Sequence, residues 1–390
     1  MDIQKIQEYL TEHELDGWLL ADFHARNEIA VAVLGLSGLV TRRSFYYIPA
    51  QGTPTVLVNP IEKEKFKHVE GTVIACKGYS VLEAELKRVI DGAEKIAMEY
   101  SPMGRLPYIG LVDAGTIELV RSFGVEIASS ADLVANFKAR LSVEQIAQHR
   151  VAAHNLIETK NAAFALVTSA LREGRTITEF QVVDFIMNRF TELDMVTEHS
   201  VNCSVDANAG DPHYEPDAKN SSVIKKGQIL LLDIWARLNL PGAPIADITW
   251  MAYTGTEAEI PQKYREIFTV LATARDKAVS FLRENIEKRP VHGYEVDDAC
   301  RNVIKAAGYG DYFTHRTGHS ITDSVHGTGP NIDNLETEDR RRLQKGHLFS
   351  IEPGIYMADC GFRTEIDCLI GHEGAEVTTL PLQMSITPLL

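Results

Sequence analysis

The sequence predicts a protein of the α/β class that is divided into two domains. The chain has 390 residues, which exceeds the usual size of one domain. Helical and strand patterns alternate along its first third, and 45% of all residues are hydrophobic, which is ample for two cores. We place the boundary near residue 139, so that the N-terminal domain covers residues 1–138 and the C-terminal domain covers residues 139–390.

The N-terminal domain begins with a helical pattern that is followed by a buried strand. Ile3, Ile6 and Leu10 recur near helical spacing, and the run GWLLA then has the composition of a strand. The segment RRSFYYIPAQGTPTVLVNP holds two strand-like runs, and residues 49–52 between them predict a hairpin turn. Helical and strand patterns continue to alternate as far as residue 138.

The C-terminal domain opens with two helices, each of which is predicted to begin at a capping box. In this motif the side chains of the N-cap residue and of the residue three positions later bond to free backbone N–H groups of the first turn. Ser142 and Thr178 are the predicted N-caps, and each has a glutamine three positions later. Two more helices are predicted at residues 262–286 and 295–307, with strands between and after them.

The composition excludes several classes of partner. The formal net charge is -15 and basic residues form no long run, so a nucleic acid or an anionic membrane surface is not expected. The N-terminus lacks the pattern of a signal peptide, and no apolar run is long enough to cross a bilayer. We therefore expect a cytoplasmic protein that acts on a small molecule or peptide. The five cysteines form no CxxC pair, which predicts buried free thiols.

Five residues of metal-ligand type follow one another in the C-terminal domain. They are Asp233, Asp247, His319, Glu352 and Glu365, and each stands in or beside an apolar stretch such as QILLLDIW or LFSIEPGIY. A carboxylate in a dry interior is costly unless it is paired, hydrogen-bonded or bound to a metal. Four carboxylates and one imidazole therefore indicate two divalent ions. This oxygen-rich set favours Mn²⁺, with Co²⁺, Zn²⁺ and Fe²⁺ as alternatives.

Each ligand candidate also has a simpler interpretation. A single aspartate at the end of a strand is more often a turn or cap residue than a ligand. In the run FRTEIDCLI, residues Arg363, Glu365 and Asp367 share one parity, which is typical of a strand face exposed to solvent. We keep that interpretation for Arg363 and Asp367, but not for Glu365.

The ligand order and the strings around it resemble a known family, the pita-bread metallopeptidases. This family includes methionine aminopeptidase, aminopeptidase P and prolidase, and the strings TGHS followed by VH, SIEPGIY and RTEIDCLI look like its signatures. The resemblance covers residues 142–390. The N-terminal region is similar to the small α/β domain of the prolidase, aminopeptidase P and creatinase branch. A pita-bread catalytic domain and a homodimer are implied by this resemblance.

The resemblance implies a role for each ligand candidate. Asp233 would bind one metal, His319 and Glu352 would bind the other, and Asp247 and Glu365 would bridge the two. Glu352 would also accept a proton from a water held between the metals.

Three further histidines receive roles from the same resemblance. His213 and His326 would contact the substrate amide and stabilise the transition state, and His315 would line the pocket of the leaving residue. Without the neighbouring carboxylates, a structural role would be the better interpretation for each of these histidines.

The function implied is that of a metallopeptidase, either an Xaa-Pro dipeptidase or an Xaa-Pro aminopeptidase acting on short peptides. The interval from Asp233 to Asp247 is longer than is usual in the family, and Trp235 and Trp250 are departures from it that would reshape the pocket if they lie near the metals. Two alternatives stay open. One is a metal-dependent hydrolase or lyase of a small non-peptide molecule on the same scaffold, and the other is a catalytically silent binding protein.

Overall fold

Helices and strands alternate along residues 2–390, which a computed structural model describes. This mixed arrangement confirms the predicted fold class. The chain separates into two units, of which the first ends at Lys138 and the second is Ala139–Leu390. No helix within residues 2–390 is both long and apolar enough to span a membrane.

The first unit is a six-stranded sheet with helices on both faces. Its strand order is β4-β3-β2-β1-β5-β6, in which β1 and β2 are antiparallel and β1, β5 and β6 are parallel. The strands are β1 Gly17–Asp22, β2 Ser44–Pro49, β3 Thr55–Val58, β4 Thr72–Ala75, β5 Lys95–Met98 and β6 Glu126–Ser129. The helices are α1 Ile3–Glu12, α2 Glu28–Leu34, α3 Tyr79–Val89, α4 Ala114–Arg121 and α5 Ala131–Lys138.

Alternation along the strands divides the first unit into two cores. Trp18 and Leu20 of β1 pack with α1, α2 and α5, whereas Leu19 packs with α3 and α4 on the other face. The predicted helical face of α1, including Ile6, is buried in the first of these cores. The predicted hairpin is confirmed, because β2 and β3 pair antiparallel.

The second unit packs long helices against a group of mostly antiparallel sheets. Its helices are α6 Val143–Glu173, α7 Glu179–Glu192, α8 Gln262–Asn285 and α9 Gly293–Ala306. Its strands are β7 Met195–Val196, β8 Asn202–Val205, β9 Ile229–Leu238, β10 Ala246–Tyr253, β11 Ser320–Ile321, β12 Leu348–Ile351, β13 Gly354–Tyr356, β14 Gly361–Arg363, β15 Ile366–Gly371, β16 Gly374–Val377 and β17 Thr387–Pro388. Of these strands, β10 and β17 form a parallel pair.

Both predicted capping boxes are present at the start of α6 and α7. The hydroxyl of Ser142 accepts a hydrogen bond from the backbone N–H of Gln145, and the side chain of Gln145 bonds back to the N-cap backbone. Thr178 makes the same pair of bonds with Gln181. These bonds satisfy N–H groups that have no partner within the helix, which fixes where each helix begins.

The long hairpin of β9 and β10 separates the two cores of the second unit. Leu232 and Ile248 face α6 and α7 on one side, whereas Leu231 and Met251 face α8, α9 and the sheet of β12 and β15 on the other. All five cysteines are buried and free, as predicted.

A close backbone contact joins residues 206–210 to the hairpin of β13 and β14. A Cβ atom on Gly361 would lie 1.7 Å from the carbonyl oxygen of Ala209, and one on Gly210 would lie 2.3 Å from that of Met357. Side chains at these two positions are therefore excluded by backbone that cannot move aside easily.

Gly361→Ala is expected to destabilise the protein by about 1–3 kcal/mol, because the added methyl group forces the two backbones apart. The measurement is chemical unfolding of the full chain, followed by tryptophan fluorescence. Gly371→Ala is the matched control, since its Cβ would meet its nearest atom at an ordinary 3.5 Å. Equal stability of the two variants would contradict the close contact.

Candidate metal centre

The register of β9 and β10 places Asp233 and Asp247 on one face of the hairpin. Asp233 lies directly opposite Thr249, and Asp247 is two residues before Thr249 on the same face. The Thr249 hydroxyl is 3.1 Å from Asp233 Oδ1 and 2.7 Å from Glu365 Oε2. One threonine therefore links carboxylates that are far apart in the sequence.

The remaining ligand candidates gather at the same point. Single ligand atoms of Asp247, His319 and Glu365 lie within 4.8 Å of one another, and all three residues are buried. His319 Nε2 is 3.3 Å from Glu352 Oε1 and 3.8 Å from Asp247 Oδ2. The structure thus brings all five predicted residues into one cluster.

The electrostatics of this cluster suit divalent cations. Burial, reinforced by repulsion from neighbouring carboxylates, raises the pKa of Asp247 and of Glu365 well above their usual values. Burial also raises the pKa of Asp233, and that of Glu352 to about 7. Asp247 Oδ1 is buried and has no hydrogen-bond partner among the described residues. Oxygen ligands with one imidazole nitrogen fit a divalent metal such as Mn²⁺.

Arg363 belongs to the cluster, so its predicted place on a solvent-exposed face is wrong. Its side chain is buried, and its guanidinium bonds to Asp233 Oδ2. Its Nε donates to Thr249 Oγ1 at 3.0 Å, and its Nη1 donates to the Tyr356 hydroxyl at 3.1 Å. The prediction fails because both faces of this segment are covered by other strands and loops.

The solvent-exposed interpretation of Asp367 is wrong for the same reason. Asp367 is 0% exposed, and its Oδ2 accepts a hydrogen bond of 2.8 Å from the backbone N–H of Asp247. His149 Nε2, from helix α6, lies 3.8 Å from the same oxygen. Asp367 therefore holds the backbone of the ligand candidate Asp247 in place.

His315 is connected to the cluster through Tyr356. Its Nδ1 lies 2.7 Å from the carbonyl oxygen of Arg316, which can only accept, so this nitrogen carries the proton. Its Nε2 is then an acceptor for the Tyr356 hydroxyl at 2.8 Å. Burial and the charge of Arg363 lower the pKa of His315 to about 3, so the ring is neutral. A chain of bonds runs from His315 through Tyr356 and Arg363 to Asp233.

The other two predicted histidines lie on irregular segments. The ring of His326 stands edge-on to that of His319, with 4.6 Å between centroids. His213 is an exposed residue of the segment that follows residues 206–210. The side chains packed around His326 and the charge of Arg316 lower its pKa, and His213 is near enough to add to that shift.

The two tryptophans differ in their relation to the cluster. Trp235 shares the face of Asp233 and packs near Leu141 and Ile245. Trp250 points to the opposite face of β10, where the Lys160 ammonium lies 3.6 Å from its ring centroid. Of the two indoles, Trp235 therefore shares a face with the ligand candidates and Trp250 does not.

Sequence reasoning missed three polar groups of the site: Thr249, Tyr356 and Arg363. Arg363 lies two residues before Glu365, and Tyr356 lies four residues after Glu352. A signal was thus present within the strings that identified the two glutamates. It could have been used by asking which donors would balance so many buried carboxylates.

Mn²⁺ is expected to raise the melting temperature more at pH 7.5 than at pH 5.5. The carboxylates with raised pKa values hold protons at the lower pH, and the metal must displace those protons. A fall in pH also changes the stability of the metal-free protein, because the raised pKa values of the carboxylates favour the folded state at low pH and the lowered pKa values of the buried histidines disfavour it. The measurement is therefore the difference in melting temperature between Mn²⁺ and EDTA samples at each pH. Glu365→Gln should reduce this difference. An equal Mn²⁺ effect at both pH values would contradict the prediction.

Comparison with known proteins places the chain in a family. Residues 153–372 match the model of metallopeptidase family M24. An uncharacterised peptidase of Staphylococcus haemolyticus is 28% identical over 269 residues, which cover 67% of this chain and 69% of that protein.

Solved structures share the fold over the whole chain. A dipeptidase from Mycobacterium ulcerans has a TM-score of 0.73 and 20% identity, covering 99% of this chain and 97% of its own. The prolidase from Pyrococcus horikoshii has a TM-score of 0.64 and 22% identity, covering 98% and 99%. The family match spans all five ligand candidates, of which Asp233 and Asp247 lie within strands and His319, Glu352 and Glu365 lie directly beside the end of one. The resemblance seen in the sequence is confirmed: the chain belongs to metallopeptidase family M24.

Proposed function

We propose that this protein is a dinuclear metallopeptidase that hydrolyses Xaa-Pro bonds, in dipeptides or at the N-terminus of short peptides. The observation that carries the proposal is the gathering of Asp233, Asp247, His319, Glu352 and Glu365 in one buried cluster. The likeness in fold to a prolidase and to a dipeptidase supports this choice of substrate.

The same five residues are proposed to hold two divalent ions, with Mn²⁺ as the native metal. Asp233 is assigned to one ion, His319 and Glu352 to the other, and Asp247 and Glu365 to both. When bound, such ions supply Lewis-acid activation of water and of the peptide carbonyl near neutral pH. Arg363 and Thr249 hold the carboxylate of Asp233 in a fixed orientation, because both bond to its oxygens.

Glu352 is proposed to act as the general base. Its carboxylate is half-buried beside His319, and burial brings its pKa to about 7 before any metal is bound. A carboxylate with this surrounding can take a proton and later release it to the departing amine.

The histidines around the cluster are proposed to handle the substrate. His326 stands beside the ligand His319 and, with His213, would donate hydrogen bonds to the carbonyl oxygen as negative charge develops on it. His315 is held neutral and fixed by Arg316 and Tyr356, which suits a residue that lines an apolar pocket for proline. The further proposal of a homodimer rests on the family resemblance alone, and that of a cytoplasmic protein rests on the expectation from the sequence.

The Mn²⁺-loaded protein is expected to cleave Xaa-Pro dipeptides or Xaa-Pro tripeptides and to spare matched Xaa-Ala peptides. The release of free amino acid measures cleavage, and Asp233→Asn serves as the blank because it weakens a metal ligand. Absence of Xaa-Pro cleavage by the loaded wild type would sink the proposal and favour a non-peptide substrate. Equal cleavage of Xaa-Ala peptides would remove only the specificity for proline.

His326→Ala is expected to lower kcat by about 100-fold or more, because it removes a donor that stabilises the transition state. Mn²⁺ affinity and melting temperature should change little, since His326 is not assigned as a ligand. His372→Ala, at an exposed imidazole in the turn between β15 and β16, is the control. Unchanged turnover in the purified His326 variant would refute the role.

A further inference from the structure

Glu179 is a buried carboxylate that the proposed chemistry does not use. It is the first residue of α7 and is 0% exposed. No lysine or arginine pairs with it among the described residues, so hydrogen-bond donors carry the burden of compensating its charge. Burial of a carboxylate costs free energy of folding, so a functional reason for its presence is worth seeking.

The donors that surround Glu179 all come from one stretch of chain, residues 205–222. The backbone N–H groups of Val205 and Ser222 donate to it at 2.8 Å and 2.7 Å. The amide of Asn208 donates at 2.9 Å and 3.1 Å to its two oxygens. The Tyr214 hydroxyl donates to Oε2 at 2.7 Å. One carboxylate therefore ties together both ends and the middle of this stretch.

Tyr214 directly follows His213, which gives its bond a local consequence. The other hydrogen bonds of the segment 211–217 stay within the stretch 205–222. The Asp211 N–H donates to the Asn208 carbonyl at 3.2 Å, the Asp211 side chain accepts from the His213 N–H at 3.0 Å, and its carbonyl accepts from the Tyr214 N–H at 3.1 Å. Among the hydrogen bonds described for this segment, the one from Tyr214 to Glu179 reaches the core of the unit. The position of His213 therefore depends on that bond.

We infer that Glu179 is a positioning residue, which acts through the Tyr214 hydroxyl to hold His213 where it meets the substrate. The inference rests on the proposed function of His213. It assigns a role in substrate placement to a side chain at the start of a helix, well away in sequence from every ligand candidate.

Tyr214→Phe tests the inference because it removes one hydrogen bond and keeps the ring. The other donors to Glu179 stay, so the protein should remain folded with a melting temperature only a few degrees lower, and the Mn²⁺ affinity should hold. For Xaa-Pro peptides, kcat/KM should fall between about 10-fold and 100-fold, as misplaced groups commonly cause. Tyr312→Phe, at an exposed tyrosine of the same unit, is the matched control and should keep full activity.

A double-mutant cycle with His213→Ala separates positioning from a general structural effect. In the His213→Ala background, Tyr214→Phe should change kcat/KM by less than about 2-fold, because the group that it positions is gone. Equal losses in both backgrounds would overturn the inference, as would full activity of Tyr214→Phe. Full activity of His213→Ala would overturn the role of His213 itself.

Hydrogen exchange gives a readout that needs no substrate. Residues 211–217 should exchange faster in Tyr214→Phe than in the wild type or Tyr312→Phe, since their tie to the core is lost. Unchanged exchange would overturn the inference even if the enzyme is active. Faster exchange in a protein that cleaves no Xaa-Pro peptide would instead place the failure with the proposed substrate.

Discussion

The second unit depends on keeping four carboxylates and one imidazole together inside an apolar interior. Burial raises the pKa of each carboxylate, and repulsion between Asp247, Glu365 and their neighbours adds to it. The chain supplies partial compensation, through the guanidinium of Arg363, the hydroxyls of Thr249 and Ser350 and the charge of Arg316. The negative charge that remains uncompensated is of the kind that divalent cations neutralise. Metal binding is therefore expected to stabilise this core.

The residues around this cluster are held in two ways, some by paired strands and others by irregular segments. Ligand candidates such as Asp233 and Asp247 lie on paired strands whose register fixes their spacing. His213 and His326 lie on irregular segments, which need other means of support. For residues 205–222 that support comes from the Glu179 carboxylate and from the close backbone contact at Gly361. The buried carboxylate of Glu179 and the close contact at Gly361 thus fix the position of this loop, as strand pairing fixes the position of a strand.

The sequence predicts the fold class, the capping boxes and the ligand candidates because each leaves a local pattern of residue types. It does not predict the residues that bond to the ligand candidates and hold them in place. The alternation rule places Arg363 and Asp367 in solvent because it assumes a strand with one open face, whereas both faces of this segment are covered. Trp250 is close to Asp247 in the chain, but adjacent parities of β10 face opposite cores. Such errors arise wherever sequence neighbours are taken for spatial neighbours.

The interval between Asp233 and Asp247, which is long by comparison with the family that the sequence resembles, is expected to affect the proposed substrate side more than the proposed metal ligands. Pairing is regular from Ile229 opposite Tyr253 up to Ala236 opposite Ala246, so the added length lies in the tip of the hairpin. Within that tip, the N–H of Ile245 donates to the carbonyl of Thr322 at 2.8 Å. Thr322 belongs to the segment between His319 and His326. The tip is therefore joined to the segment that carries His326, which is proposed to contact the substrate, while the strand register that sets the two aspartates is left intact.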